Sequence, residues 1–257
     1  RSSRERVCRK VGSSRSRASR FSDGFYAPAA PRAWISEDRA PDAAALVARL
    51  ANAFSTTGLW PLVLESLNDD ADERPWLAAE LSPAPYRVSS TRDAQETLAN
   101  WWSDVFPTED EVFDDFKPFS REFPGLAAAP PAGRDSVPIH EVAAVLSGRL
   151  ALVPLTRPAD APAALGWTGP INHYGDMGLL SCVLRSWEER FEAFVVGIGF
   201  DTLTLAVGRP PSTLDAARSV AAEHFATCPD TVYQGCGSIE ALAQDLLDSE
   251  TWTFWWD

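Results

Sequence analysis

The segment EHFATCPD gathers the residue types with the widest chemical scope in this sequence. His224 and Cys228 stand four residues apart, so a helix would put imidazole and thiol on one face, where they could share a metal or work as base and nucleophile. Asp230 follows closely and Cys236 lies a short loop beyond. In a catalytic version His224 is the base, Cys228 the nucleophile and Asp230 the orienting group. In a metal version His224, Cys228 and Cys236 are ligands, with Glu223 and Asp230 near in sequence. The plainer reading makes His224 a satisfied histidine bordering an apolar stripe and Cys228 a small buried hydrophobe, with Pro229 stopping the helix and Asp230 capping the next turn. The plainer reading is preferred, because paired CxxC or HxxxH spacing is missing. Zinc is compatible with these residues but not expected, and no other cofactor is.

A second candidate is GWTGPINHYGD, a glycine-containing loop that presents Asn172, His173 and Asp176 just ahead of a helix N-terminus, where free N–H groups can bind an anion. Its plainer reading is an ordinary loop ending in the Asp176 cap. The acidic runs at 69–73 and 109–115 lack the glycine and terminal glutamate of a calcium loop and read as solvated surface. Most of the ten tryptophans fall on inward helical or strand positions, so they read as core. The sequence has no GxxxxGK[ST], GxSxG or HExxH motif, and GIGFD lies in a hairpin, the wrong setting for a dinucleotide fingerprint.

The elements that must position these groups follow from periodicity. A helix opened by Pro41 and Asp42 turns Leu46, Val47, Leu50 and Phe54 inward and ends at Gly58, and LWPLVL then reads as a buried strand. Thr91 is expected to cap a helix with Leu98, Trp101 and Trp102 inward. HEVAAVLSG is helical and RLALVPL strand-like. Asp176 caps a helix with Leu180, Leu184, Trp187 and Phe191 inward and Arg185, Glu188, Glu189 and Arg190 outward. The runs Phe194, Val196, Ile198 and Leu203, Leu205, Val207 alternate with period 2 and, with no room for a crossover, form an antiparallel hairpin. Ser212 with Asp215 opens the helix carrying His224, Ser238 opens the last helix, and TWTFWW, aromatic on both faces, reads as a well-covered strand. The fold expected is α+β (mixed α/β): a sheet containing the antiparallel hairpin and a C-terminal strand, covered by amphipathic helices.

Charge divides the chain. Residues 1–34 hold nine basic and two acidic residues, a net of +7, so with −13 overall the remainder carries −20. A body that acidic repels a phosphate backbone, which argues against a nucleic-acid partner. No apolar run reaches the roughly 18 residues of a membrane span, so no membrane is expected. Four cysteines without regular spacing fit a reducing cytoplasm better than a disulfide framework. The Ser/Arg-rich start has the composition of a transit peptide, but a disordered or misassigned basic leader over 1–34 is the preferred reading. The expected organisation continues with an α/β region at 35–123, a Pro/Gly-rich linker at 124–138 and an α+β region at 139–257.

The runs WTGPIN, LRSWEERFEA, VGIGFDTL, PPSTLDAARSVAAEHFATCPD and WTFWWD resemble the bacterial family known as domain of unknown function 4253, strongly over about 165–257. The resemblance continues more weakly through TGLWPLVL, ERPW, ANWW and LVPLTRPAD. Thr227 stands where that family commonly has an aromatic before the Cys of the CPD turn. The resemblance implies no activity, cofactor or partner. The function expected from the residues is a non-catalytic intracellular binding or regulatory protein, immunity-type in one version, that meets a basic protein partner through its acidic surface. The alternative is a Cys/His or metal-assisted hydrolase centred on His224, Cys228 and Asp230.

Overall fold

The computed structural model describes residues 24–26, 33–39, 43–67, 74–76, 80–82, 93–105, 116–131 and 136–257. Strands β1 (Gly24–Tyr26) and β2 (Trp34–Arg39) come first, followed by helices α1 (Ala43–Asn52) and α2 (Phe54–Thr57), strand β3 (Leu59–Leu64) and helix α3 (Ala94–Asp104). Next are α4 (Ile139–Ala144), β4 (Arg149–Pro154), α5 (Ala161–Leu165) and α6 (Met177–Phe191). The hairpin β5 (Ala193–Ile198) and β6 (Thr202–Val207), then α7 (Leu214–Thr227), α8 (Ile239–Leu246) and β7 (Thr251–Trp255) complete the described chain. Gly58 turns α2 into β3 through a left-handed backbone, φ 64°, which glycine adopts without a Cβ clash.

Local side-chain chemistry opens the helices. Asp176 and Ser238 cap α6 and α8 as their positions in sequence predict. Two other caps differ. Asp93, not Thr91, accepts the amides of Gln95 and Glu96 at α3, and Thr91 lies outside the described residues. At α7 the cap is Thr213 rather than Ser212, one residue closer to the helix, accepting from Ala216 N–H.

The fold is α+β. Among the described residues one seven-stranded sheet runs in the order β1-β2-β4-β3-β5-β6-β7, with β3 and β5 parallel and every other neighbouring pair antiparallel. Strand alternation sends Leu62 and Leu64 to one face and Val63 to the other. The first face carries the larger core, against α3, α5, α6 and α7. The second is covered by α1 and α4, where Val47 and Val142 meet Val63, Val196 and Ala206.

A β-bulge between Val195 and Gly197 corrects the expected period of β5. The extra residue leaves Val195 and Ile198 in the larger core and sends Val196 to the α1/α4 side, so Val196 and Ile198 do not share a face. Gly197 fits there because a Cβ would come 2.6 Å from Leu146 Cδ1. The last strand is also less covered than its aromatics predict. It is an edge strand, with Trp252, Phe254 and Trp256 buried on one face and Trp255 39 % exposed on the other.

The segment expected as a linker bears directly on the core. Ala127 is buried, its N–H donates to Glu223 Oε1 at 2.6 Å, and its carbonyl accepts from Arg190 Nη1 at 2.8 Å. Strands β2 and β3, upstream of that segment, share their sheet with β4 to β7, downstream of it. Among the described residues no helix is long and apolar enough to cross a membrane.

Candidate functional site

The C-terminal half of α7 is buried on nearly every side, from Val220 through Thr227. α3 and α8 pack along it, and α6 and β7 close over Glu223 and His224. His224 therefore lies inside the core. Its ring is 4.6 Å from Trp252, 4.6 Å from Phe254 and 5.0 Å from Trp187, centroid to centroid. Nε2 has no hydrogen-bond partner among the described residues, and burial pulls the imidazole pKa down to about 3. The ring is neutral at physiological pH.

Cys228 ends the helix, wholly buried, and its thiol donates to Trp255 O at 2.9 Å. Burial pushes this thiol up to about 11, so the nucleophilic thiolate is scarce. Cys236 turns instead to the carbonyls of Thr231 and Ser238. Among the described residues no group of three His, Cys, Asp or Glu side chains is placed to hold a metal ion, so His224, Cys228 and Cys236 do not form the ligand set their spacing allows. Four residues along a helix share a face, but here that face is divided between an aromatic box and a strand carbonyl.

Asp230 does gather partners. Its Oδ2 lies 2.8 Å from His173 Nε2 and accepts the amide of Asp257 at 3.0 Å, while Oδ1 accepts from Gln234 Nε2 at 3.2 Å. Asn172 Nδ2 donates to Asp257 O at 3.1 Å. The structure thus joins Asp230 of the first candidate set to His173 of the second, whereas His224 faces the aromatic box and Cys228 the last strand. A recess of about 210 Å³ adjoins this clasp, with Trp101, His173 and Tyr174 on its wall. Asp176 serves as the α6 cap.

The clasp ties together WTGPIN, the CPD turn and WTFWWD, which are far apart in sequence. Residues 149–257 match a family model, Domain of unknown function (DUF4253). The matched DUF4253 segment includes LVPLTRPAD but none of TGLWPLVL, ERPW or ANWW. No curated protein and no solved structure matches the chain.

A larger concavity, about 790 Å³, opens where the DUF4253 segment meets α1 and α2. Ligand sites commonly fall in the range of about 300–1,000 Å³. Phe54, Trp60 and Phe194 form an aromatic wall, with Trp60 5.3 Å from Phe54 and 5.8 Å from Phe194. Trp60 is fixed by its indole N–H, which donates to Val195 O at 2.7 Å. Three carboxylates, Glu141, Glu188 and Glu192, also line the cleft, and among the described residues no lysine or arginine does.

Two of those carboxylates are held from behind. Glu188 accepts from Arg157 Nε at 3.2 Å and from Ala159 N–H at 3.1 Å, and burial raises its pKa against the lowering effect of Arg157. Glu192 caps α6 in the left-handed region at φ 51°, where glycine is the usual residue, and Arg209 Nε stands 3.3 Å from its Oε1. Gly208 makes room for it, since a Cβ there would lie 2.8 Å from Glu192 Oε2. The periodicity of α6 puts Glu188 on a solvated helix face together with Arg185 and Arg190. In the structure Arg185 instead pairs with buried Asp160 at 2.6 Å and Arg190 with buried Glu223 at 2.6 Å. A helical stripe reports which residues face the nearest layer, not what crosses over the opposite side. The proximity of Glu188 and Glu192, one turn apart, was the available signal.

Proposed function

We propose that this chain is a non-catalytic, cytoplasmic binding or regulatory protein that recognises a basic protein partner through its acidic surface. One observation carries the reading. The 790 Å³ cleft is lined by three carboxylates and an aromatic wall, without a lysine or arginine among the described residues, a surface complementary to cationic groups. An immunity-type role, neutralising a basic toxin, is one form of this function. What weighs for binding over a Cys/His hydrolase is the setting of the proposed pair, a weakly basic imidazole enclosed by aromatic rings and a buried thiol held protonated against a strand carbonyl, neither of them open to a substrate.

The test uses basic proteins encoded beside this gene, each purified and titrated against the full chain at low and high salt. At least one is expected to bind with an affinity that falls as salt rises. Failure of every basic candidate to bind, or binding indifferent to salt, would overturn the reading.

A further inference from the structure

We infer that the cleft between α1, α2 and the end of α6 receives one cationic head on an apolar stem, the side chain of a lysine or arginine carried by the partner. This rests on the reading of a basic partner. The cleft combines two kinds of surface that a simple acidic patch lacks. Glu188 and Glu192, one helical turn apart, both line it, and Phe54, Trp60 and Phe194 form its wall. Carboxylates recognise the charged head, while aromatic faces take the methylene stem and add a cation–π contribution. A small hydrated metal ion would gain nothing from such a wall, and an anion would be repelled.

The backbone supports the same assignment. Glu192 keeps a full side chain at a left-handed position where glycine is easier, and the facing residue, Gly208, has no side chain to obstruct it. Arg157 and Arg209 fix the two carboxylates from outside the lining and leave the aromatic side clear. Among the described residues, Glu141, Glu188, Glu189 and Glu192 against these two arginines leave a net negative charge of two around the cleft.

The experiment titrates the full chain with three capped pentapeptides, Gly-Gly-X-Gly-Gly with X lysine, arginine or norleucine, followed by the indole resonance of Trp60 and the ring resonances of Phe194. The cationic peptides are expected to shift these signals saturably and the norleucine peptide to do so at least about tenfold more weakly. Glu192→Gln should weaken the cationic peptides by about the same factor. Glu192→Gly, which removes the carboxylate while relaxing the backbone, supplies a variant that folds. Equal binding of norleucine, absence of any saturable shift, or full affinity in both variants would overturn the assignment. A basic protein that binds wild type and both Glu192 variants alike would remove the cleft while leaving the partner reading intact. Binding of lysine peptide without any basic protein partner would do the reverse.

Discussion

Arg190 Nη2 lies 2.6 Å from Glu223 Oε2, and Glu223 has no exposed surface. The same carboxylate accepts from Trp187 Nε1 at 2.7 Å and Ala127 N–H at 2.6 Å, so all its partners come from other segments of the chain. Buried ion pairs gain little over apolar packing, but breaking one leaves an uncompensated charge. Glu223→Ala is expected to cost about 3–5 kcal/mol in urea unfolding. The double variant Glu223→Leu with Arg190→Met should recover part of that loss. A single variant within about 0.5 kcal/mol of wild type would show that the pair is not buried in solution.

His224 makes stability depend on pH with a definite sign. Its folded pKa, about 3, lies below the ordinary value of 6.5, so at intermediate pH the unfolded chain takes up a proton that the folded chain refuses. Stability is complete above about pH 6.5 and declines as the pH falls toward about 3, by about 2 kcal/mol at pH 5. His224→Phe, which suits an aromatic box, should lose this component. Subtracting the two chains' pH profiles isolates the histidine from the carboxylates, and parallel profiles between pH 7 and pH 5 would contradict the buried, neutral ring.

Thiol reactivity should follow burial. Cys228 is wholly buried and protonated, whereas Cys236 is partly exposed. Under native conditions at pH 8, mass-resolved alkylation is expected to label Cys236 before Cys228, with Cys228 modified only after unfolding. Rapid labelling of Cys228 would show an opening that the packed helix end does not provide.

The clasp at Asp230 should hold the end of β7. Asp230→Ala removes the acceptor for Asp257 N–H and for His173 and Gln234, with an expected loss of about 1–3 kcal/mol. Hydrogen exchange should accelerate over 253–257 more than in β6. His173→Ala, which leaves the other two donors in place, should cost less. Uniform acceleration across the sheet would mean that Asp230 acts on global stability rather than on this clasp.

The contrast between these groups shows what the sequence can reveal. The order of elements from α6 to β7, the Asp176 and Ser238 caps and the shared face of Trp252 and Trp256 follow from local periodicity and capping chemistry, whereas β1 falls in the stretch read as a leader and β2 and α5 in stretches given no element. Asp230 was legible as a polar centre, but its link to His173 depends on a tertiary turn that brings the loop at 168–173 to the end of α7. Glu223 enters the sequence reading only as a neighbour of the His224 and Cys228 candidates and Asp160 not at all, because their burial depends on arginines on α6 and, for Glu223, on the crossing segment at Ala127. The cleft was hidden for the same reason, since Phe54 and Trp60 come from one end of the chain and Glu188, Glu192 and Phe194 from the other.

The position of β3 has a consequence for how the protein is made. This strand lies between β4 and β5, and its register sets Val63 beside Gly197, yet β4 and β5 both belong to the matched segment and β3 does not. During synthesis from the N-terminus, β3 leaves the ribosome long before either neighbour exists, carrying Trp60, Leu62, Val63 and Leu64 with no sheet to join. Such late, non-local pairing slows folding and leaves an apolar strand exposed in the meantime. Conversely, residues 149–257 expressed alone would have to close their sheet around an empty central slot, so a fragment cut at the family boundary should aggregate unless β3 is supplied as a separate peptide.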